Sequence, residues 1–131
     1  MSSTAREHHR RLASPRFTLS AEVARVRDSI VDQYDPDRII LFGSAATGAA
    51  REDSDIDLLI IKRTRKPYFD RVLDVRRAID SPRRLDVFVL TPREYERAIA
   101  EKRYLIVEEI LPKGRIIYER PRARRRRSRA A

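Results

Sequence analysis

Two aspartates interrupt the most apolar stretch of the chain. The run Asp55-Ile56-Asp57-Leu58-Leu59-Ile60-Ile61 is otherwise the material of a buried strand, built from branched aliphatic residues. In a strand, residues i and i+2 point to the same face. Asp55 and Asp57 therefore look one way, and Ile56, Leu58 and Ile60 look the other. Two such carboxylates about 6 Å apart repel by roughly 2–3 kcal/mol at an effective dielectric of about 20. A solvent-facing stripe on a one-sided sheet tolerates that pair. Yet Leu59 and Ile61 continue the face that carries the acids, so only the N-terminal end of the strand is polar. That pattern suits a rim site, where a divalent cation reverses the sign of the repulsion, and Mg²⁺ is the reading the pair supports.

Gly43-Ser44 stands upstream, directly after the apolar run Arg38 to Phe42. Glycine lets the backbone turn sharply and lets a phosphate approach. Backbone N–H groups of the following turn bind phosphate oxygens, and the Ser44 hydroxyl supplies one more donor. A Gly-Ser turn after a strand is commonplace by itself, but two of the three glycines in the chain fall here. Two familiar motifs fail. Gly43 and Gly48 have the separation of a phosphate-binding P-loop, but Ala49 and Ala50 stand where Lys and Ser/Thr are required. Asp53, Asp55 and Asp57 imitate the first ligands of an EF-hand, but Leu58 replaces its glycine and Thr64 its closing glutamate. A third acid, Asp86, lies early in the apolar run Leu85 to Leu90. It is a strand-end acid exposed to water, or, if that strand lies beside the second, it reaches the Asp55/Asp57 site. Three carboxylates then suffice for two Mg²⁺ ions about 3.5–4 Å apart, the arrangement of in-line phosphoryl displacement.

The 131 residues suit one domain, and 41% hydrophobic content suffices for a core. No apolar run approaches the roughly 18 residues of a membrane span, and residues 1–17 lack the apolar stretch of a secretory signal. With no cysteine, disulfides and thiolate metal sites are excluded, which fits a reducing cytoplasm. Residues 120–131 hold seven arginines and no acid, so the net charge of +10 less these seven leaves +3 for the rest. A segment so charged is expected to be disordered alone. It is either a solvated terminus or an attractor of nucleic acid, although no aromatic residue is interleaved to stack on bases. His8 and His9 are adjacent and lack a third ligand, which argues against a metal site there.

Along the chain, Ser20 is an N-cap for an amphipathic helix carrying Val23, Val26, Ile30 and Tyr34, ended by Pro36. Strands are expected at Arg38 to Phe42, Ser54 to Lys62, Leu85 to Leu90 and Arg115 to Glu119. Gly43 and Gly48 bracket a brief helix. Pro67 opens a second main helix at its first position, and Thr91-Pro92-Arg93-Glu94 begins a third with a capping box. A short helix is expected from Arg103 to Leu111. Its apolar residues Leu105, Val107 and Ile110, with Tyr104, are core or a partner face. The organisation is a loose N-terminus (1–17), one layered domain (18–119) and the arginine-rich tail (120–131).

Phe42-Gly43-Ser44, ten residues, Asp55-Ile56-Asp57 and a later Asp86 resemble the DNA polymerase β-like nucleotidyltransferase superfamily. Within it, the Leu-Phe-Gly-Ser…Ser-Asp-Ile-Asp-Leu-Leu wording is similar to the minimal nucleotidyltransferases (MNT). The resemblance covers roughly residues 20–119 and implies an α+β fold with a mixed sheet. It implies transfer of a nucleoside monophosphate, AMP from ATP, to an acceptor hydroxyl. By resemblance Asp55 and Asp57 ligate both metals, Asp86 ligates the catalytic one and helps deprotonate the acceptor, and Gly43 and Ser44 hold the β- and γ-phosphates. Minimal members often act as antitoxins paired with HEPN-domain toxins, which implies a HEPN toxin partner and AMPylation of a protein. Two features depart from the pattern. Ala45 and Ala46 replace the basic residue that many members carry after Gly-Ser, leaving Arg51 or Lys62 as candidate phosphate contacts, and the arginine tail has no counterpart. Two other functions stay open: a binding module that neutralises its partner by contact alone, and a nucleic-acid binder led by residues 120–131.

Overall fold

The computed structural model describes residues 18–48, 55–81 and 84–121. Helix α1 (Ala21–Tyr34) starts where Ser20 caps it, the side chain accepting from the Val23 N–H at 3.1 Å. It stops where Asp35 turns left-handed at φ 53°, just before Pro36. Strand β1 (Arg38–Phe42) leads through Gly43 into the short helix α2 (Ser44–Thr47). Then come β2 (Ile56–Ile61), α3 (Tyr68–Arg77), β3 (Leu85–Leu90) and α4 (Pro92–Ala100). Pro67 takes the cap position of α3, one residue before its expected place. Helix α4 carries the expected capping box, with Thr91 and Glu94 bonding each other's backbone N–H groups at 3.1 and 2.9 Å.

The last predicted helix is wound wide. Leu105–Ile110 follows i→i+5 bonding before tightening into α5 (Leu111–Lys113), and β4 (Arg115–Glu119) closes the fold. Pro112 explains the winding. It lacks the N–H that would close an ordinary turn on Glu108, and its ring crowds that carbonyl. Tyr104 is 72% exposed and Ile110 fully buried, so this segment gives one face to the core and leaves the aromatic ring outside.

The four strands form a mixed sheet in the order β3-β2-β1-β4. β1 is antiparallel to both β2 and β4, and β2 is parallel to β3. This is the expected α+β architecture. Alternation in the strands feeds two cores. Ile39, Leu41, Ile56, Leu58, Ile60, Val87 and Val89 pack beneath α1 and α3, against Val23, Val26, Ile30 and Val75. Ile40, Phe42, Leu59 and Ile61 pack on the other face beneath α4 and the wide helix, against Tyr95, Ile106 and Ile110. The second face is the one the acids share.

β3 is an edge strand, and side chains of α3 occupy its outer backbone. Arg76 donates to the Leu85 carbonyl at 2.8 Å, and Arg71 donates to the Val89 carbonyl at 3.3 Å while pairing with Glu94 at 2.7 Å. The end of the sheet away from the acids is locked differently. Arg120 is 5% exposed and pairs with the carboxylates of Asp35 and Asp37 at 3.1 Å each. Its own N–H donates to the Asp37 carbonyl. Arg120 thus belongs to the domain rather than to the tail, because two acids of the α1–β1 turn hold it. Residues 122–131, residues 1–17 with His8 and His9, and Arg51 and Asp53 lie outside the described residues. Among the described residues, no helix is long and apolar enough to cross a membrane.

Candidate functional site

The sheet register brings two of the three acids together. In the parallel pair β2–β3, Asp57 stands directly opposite Asp86, and in the antiparallel pair β1–β2 it stands opposite Phe42. Asp57 and Asp86 share the outer face with Leu59 and Phe88, one step further along. Their carboxyls are hydrogen-bonded to one another. Burial pushes the Asp57 carboxyl up from 3.8 to about 6, and the hydrogen bond and charge of Asp86, with the charge of Asp55, push the same way. Asp57 therefore holds its proton into mildly acidic pH, the response of a crowded carboxyl without a cation.

Gly43 forms the wall beside Asp57. A Cβ at Gly43 would lie 2.1 Å from Asp57 Oδ2, and its φ of +73° is a conformation that side chains rarely adopt. Only glycine both turns the chain out of β1 and leaves room for this carboxyl. Ser44 follows as the first residue of α2, with the Ala46 N–H bonded to the Gly43 carbonyl at 3.1 Å. The predicted phosphate turn therefore lies directly beside one of the predicted acids, Asp57.

Asp55 is set apart. It lies beyond the first residue of β2, and its Oδ1 is 3.7 Å from Nε of Arg84. Among the described residues, no group of three or more Asp, Glu, His or Cys side chains is gathered closely enough to hold a metal as it stands. The donor chemistry fits a hard divalent cation nonetheless, since all three groups are carboxylates and two of them, Asp57 and Asp86, stand opposite one another in register. Lys62, one candidate for a phosphate contact, lies at the opposite end of β2. Its ammonium is bound to the Tyr34 and Asp35 carbonyls at 2.9 Å each, which removes it from the site.

Sequence reading missed three features. Arg84 sits two residues before Asp86 and across from Asp55, a relation visible only once β3 is known to pair in parallel with β2. A cleft of about 410 Å³ opens beside Asp86, at the free edge of β3. A groove of about 400 Å³ is lined by Leu59, Phe88 and Leu90 of the sheet and by Ala98, Leu105 and Ile106, with the charged Glu94, Arg97, Glu101 and Arg103 also bordering it. The Phe88 ring lies 6.0 Å from that of Phe42 and is 36% exposed, so an aromatic pair stands at the acid end of the groove.

A family model described as polymerase beta, nucleotidyltransferase, matches residues 26–123. The fold is similar to a crystal structure of a candidate nucleotidyltransferase from Sulfolobus solfataricus, with a TM-score of 0.55 at 20% identity, covering 92% of this chain and 91% of that one. No curated protein matches the sequence.

Proposed function

The chain belongs to the polymerase beta nucleotidyltransferase family, and from that premise we propose that it transfers AMP from ATP to a hydroxyl of a partner protein. In this reading the chain is of the minimal type, its partner is a HEPN-type toxin, and it serves as the antitoxin. The observation that carries the transferase reading is the in-register pair Asp57–Asp86 pressed against Gly43. A fold gains nothing from opposing two half-exposed carboxyls, and a chemistry that must gather positive charge does.

Asp55, Asp57 and Asp86 are the residues to hold Mg²⁺, which when bound supplies positive charge against the phosphoryl oxygens. Gly43 and Ser44 seat the β- and γ-phosphates with backbone N–H groups and the serine hydroxyl. Asp86, on the flank of the pair away from Gly43, orients the acceptor hydroxyl and takes its proton. The acceptor oxygen then bonds to the α-phosphorus, the bond to the bridging oxygen breaks, and pyrophosphate leaves. The groove beside Phe88 supports a protein acceptor, since it offers apolar surface within one residue step of the acids. Tyr104, exposed close to the groove wall, extends that surface.

A second reading keeps the partner and drops the chemistry. It is favoured by Asp55 leaning on Arg84 rather than joining the other two acids. The test is transfer of label from ATP radiolabelled at the α-phosphate, with Mg²⁺ and the protein that co-purifies from the native host. Label on the partner that disappears with Asp55→Asn is the expected result. No label, with both forms still binding the partner tightly, would discard transfer in favour of inhibition by contact.

A further inference from the structure

The cleft at the free edge of β3 is lined by Arg76, Ile79, Ser81, Arg84, Leu85 and Asp86. Its position follows from the register. The Ile56 N–H bonds to the Arg84 carbonyl at 2.9 Å, which extends the β2–β3 pairing one step and sets Arg84 across from Asp55. Arg84 and Asp86, two apart, share a face. The Arg84 side chain is 86% exposed, and its contact with Asp55 is 3.7 Å long. A pair so open and so long holds the guanidinium weakly. Arg76 reaches the same cleft from α3, fixed by its bond to the Leu85 carbonyl. Two arginines thus border one small cavity that Asp86 also lines.

Guanidinium is the side chain best matched to phosphate, because its planar fork offers parallel donors. The Asp86 carboxylate repels an anion and keeps it toward the arginine end. The cleft also approaches the acids from one side only. β3 lies on the opposite side of β2 from β1 and its Gly43-Ser44 turn, so the cationic pocket and the phosphate turn flank the acids from opposite directions.

We propose that this cleft is a second phosphate subsite, in which Arg84, backed by Arg76, grips a phosphate group beside the hydroxyl presented to Asp86. Its role rests on the transferase reading of the acids. It narrows that reading to a partner protein whose reacting hydroxyl lies near a phosphate group, as in a phosphorylated segment. The same chemistry arises if the nucleotide's own phosphates reach across the acids.

The experiment titrates the full chain with inorganic phosphate, without divalent metal, by calorimetry or amide chemical shifts, and separately with Mg²⁺-ATP. Wild type is compared with Arg84→Gln and with Arg93→Gln, an exposed arginine on α4 that controls for the general positive charge. Arg84 is exposed, so its variant folds, and a melting curve checks this. We expect phosphate affinity to fall about tenfold in Arg84→Gln, the scale of one charge-assisted hydrogen bond, and to hold in Arg93→Gln. If Mg²⁺-ATP affinity is unchanged by Arg84→Gln, the phosphate comes from the acceptor. If it falls in parallel, the phosphate is the nucleotide's, and the subsite still stands. Phosphate that fails to bind the wild type, or binds all three proteins alike, overturns the proposal. Failure of Mg²⁺-ATP to bind the wild type, with the phosphate response to Arg84→Gln intact, removes the transferase reading instead.

Discussion

Replacing Asp57 by Asn should make the metal-free protein more stable at neutral pH while abolishing transfer. The folded protein keeps the Asp57 proton up to about pH 6, whereas the unfolded chain releases it near 3.8. Between those values the folded state binds more protons. The stabilisation is therefore complete below about pH 4 and is lost as pH rises through about 6. A carboxyl moved from 3.8 to about 6 carries a penalty of roughly 3 kcal/mol on its charged form. The group is only half-buried, and solvent screening reduces this to about 1–2 kcal/mol. Asn keeps the shape and a hydrogen bond to Asp86 but never charges. Urea unfolding in EDTA should show the wild type losing this amount between about pH 4 and 7 relative to Asp57→Asn, which is flat by comparison. Taking the difference between the two proteins cancels every other titrating group. Mg²⁺ should then restore the wild type alone, by about 1.4 kcal/mol at ten times its dissociation constant. A variant less stable than wild type at pH 7.5 in EDTA, or equal gains from Mg²⁺ in both, would refute the view of Asp57–Asp86 as a strained pair awaiting a cation.

Two further substitutions probe the frame around the pair. Gly43→Ala places a methyl 2.1 Å from Asp57 Oδ2 at a φ of +73°; a loss of about 1–3 kcal/mol in a thermal or urea melt and loss of transfer are expected, and wild-type behaviour in both would show that the wall yields freely. Arg120→Ala strips Asp35 and Asp37 of a buried cation; it should cost about 2 kcal/mol in urea unfolding, reduced from a fully buried pair because Asp35 is half-exposed, with Mg²⁺-ATP binding unchanged because the cluster lies at the far end of the sheet.

Local order was readable where local chemistry decides it. Ser20, the Thr91–Glu94 capping box and the runs Arg38 to Phe42, Leu85 to Leu90 and Arg115 to Glu119 fold as their composition implies. Period-two alternation also placed Leu59 and Ile61 together on one face, which packs against the second core. What escaped depends on contacts distant in sequence. Parallel pairing of β2 with β3 sets Asp86 against Asp57, yet nothing in either strand alone names its neighbour. Arg120 looked like the first residue of a charged tail, because its partners Asp35 and Asp37 lie at the other end of the chain. The wide turn at Leu105–Ile110 was masked by ordinary helix formers, although Pro112 carried the signal.

The candidate site joins these two kinds of information. Gly43 is legible as a turn, but its more demanding task, leaving room for Asp57 Oδ2, appears only when β1 and β2 are paired. Burial, and then Asp86 across the β2–β3 pairing, raise the Asp57 carboxyl, so glycine, register and proton affinity meet at this one residue. A scaffold used only for contact would be free to relax it: Asn at 57 removes the charge conflict, and Ala at 43 would then find a more yielding neighbour. If Asp57→Asn recovers more stability in the Gly43→Ala background than it adds to the wild type, the two residues are coupled through the carboxyl. A double-mutant cycle reads that coupling directly. Additive effects would mean that Gly43 is demanded by the turn alone, and the contact with Asp57 would no longer argue for a site built around its charge.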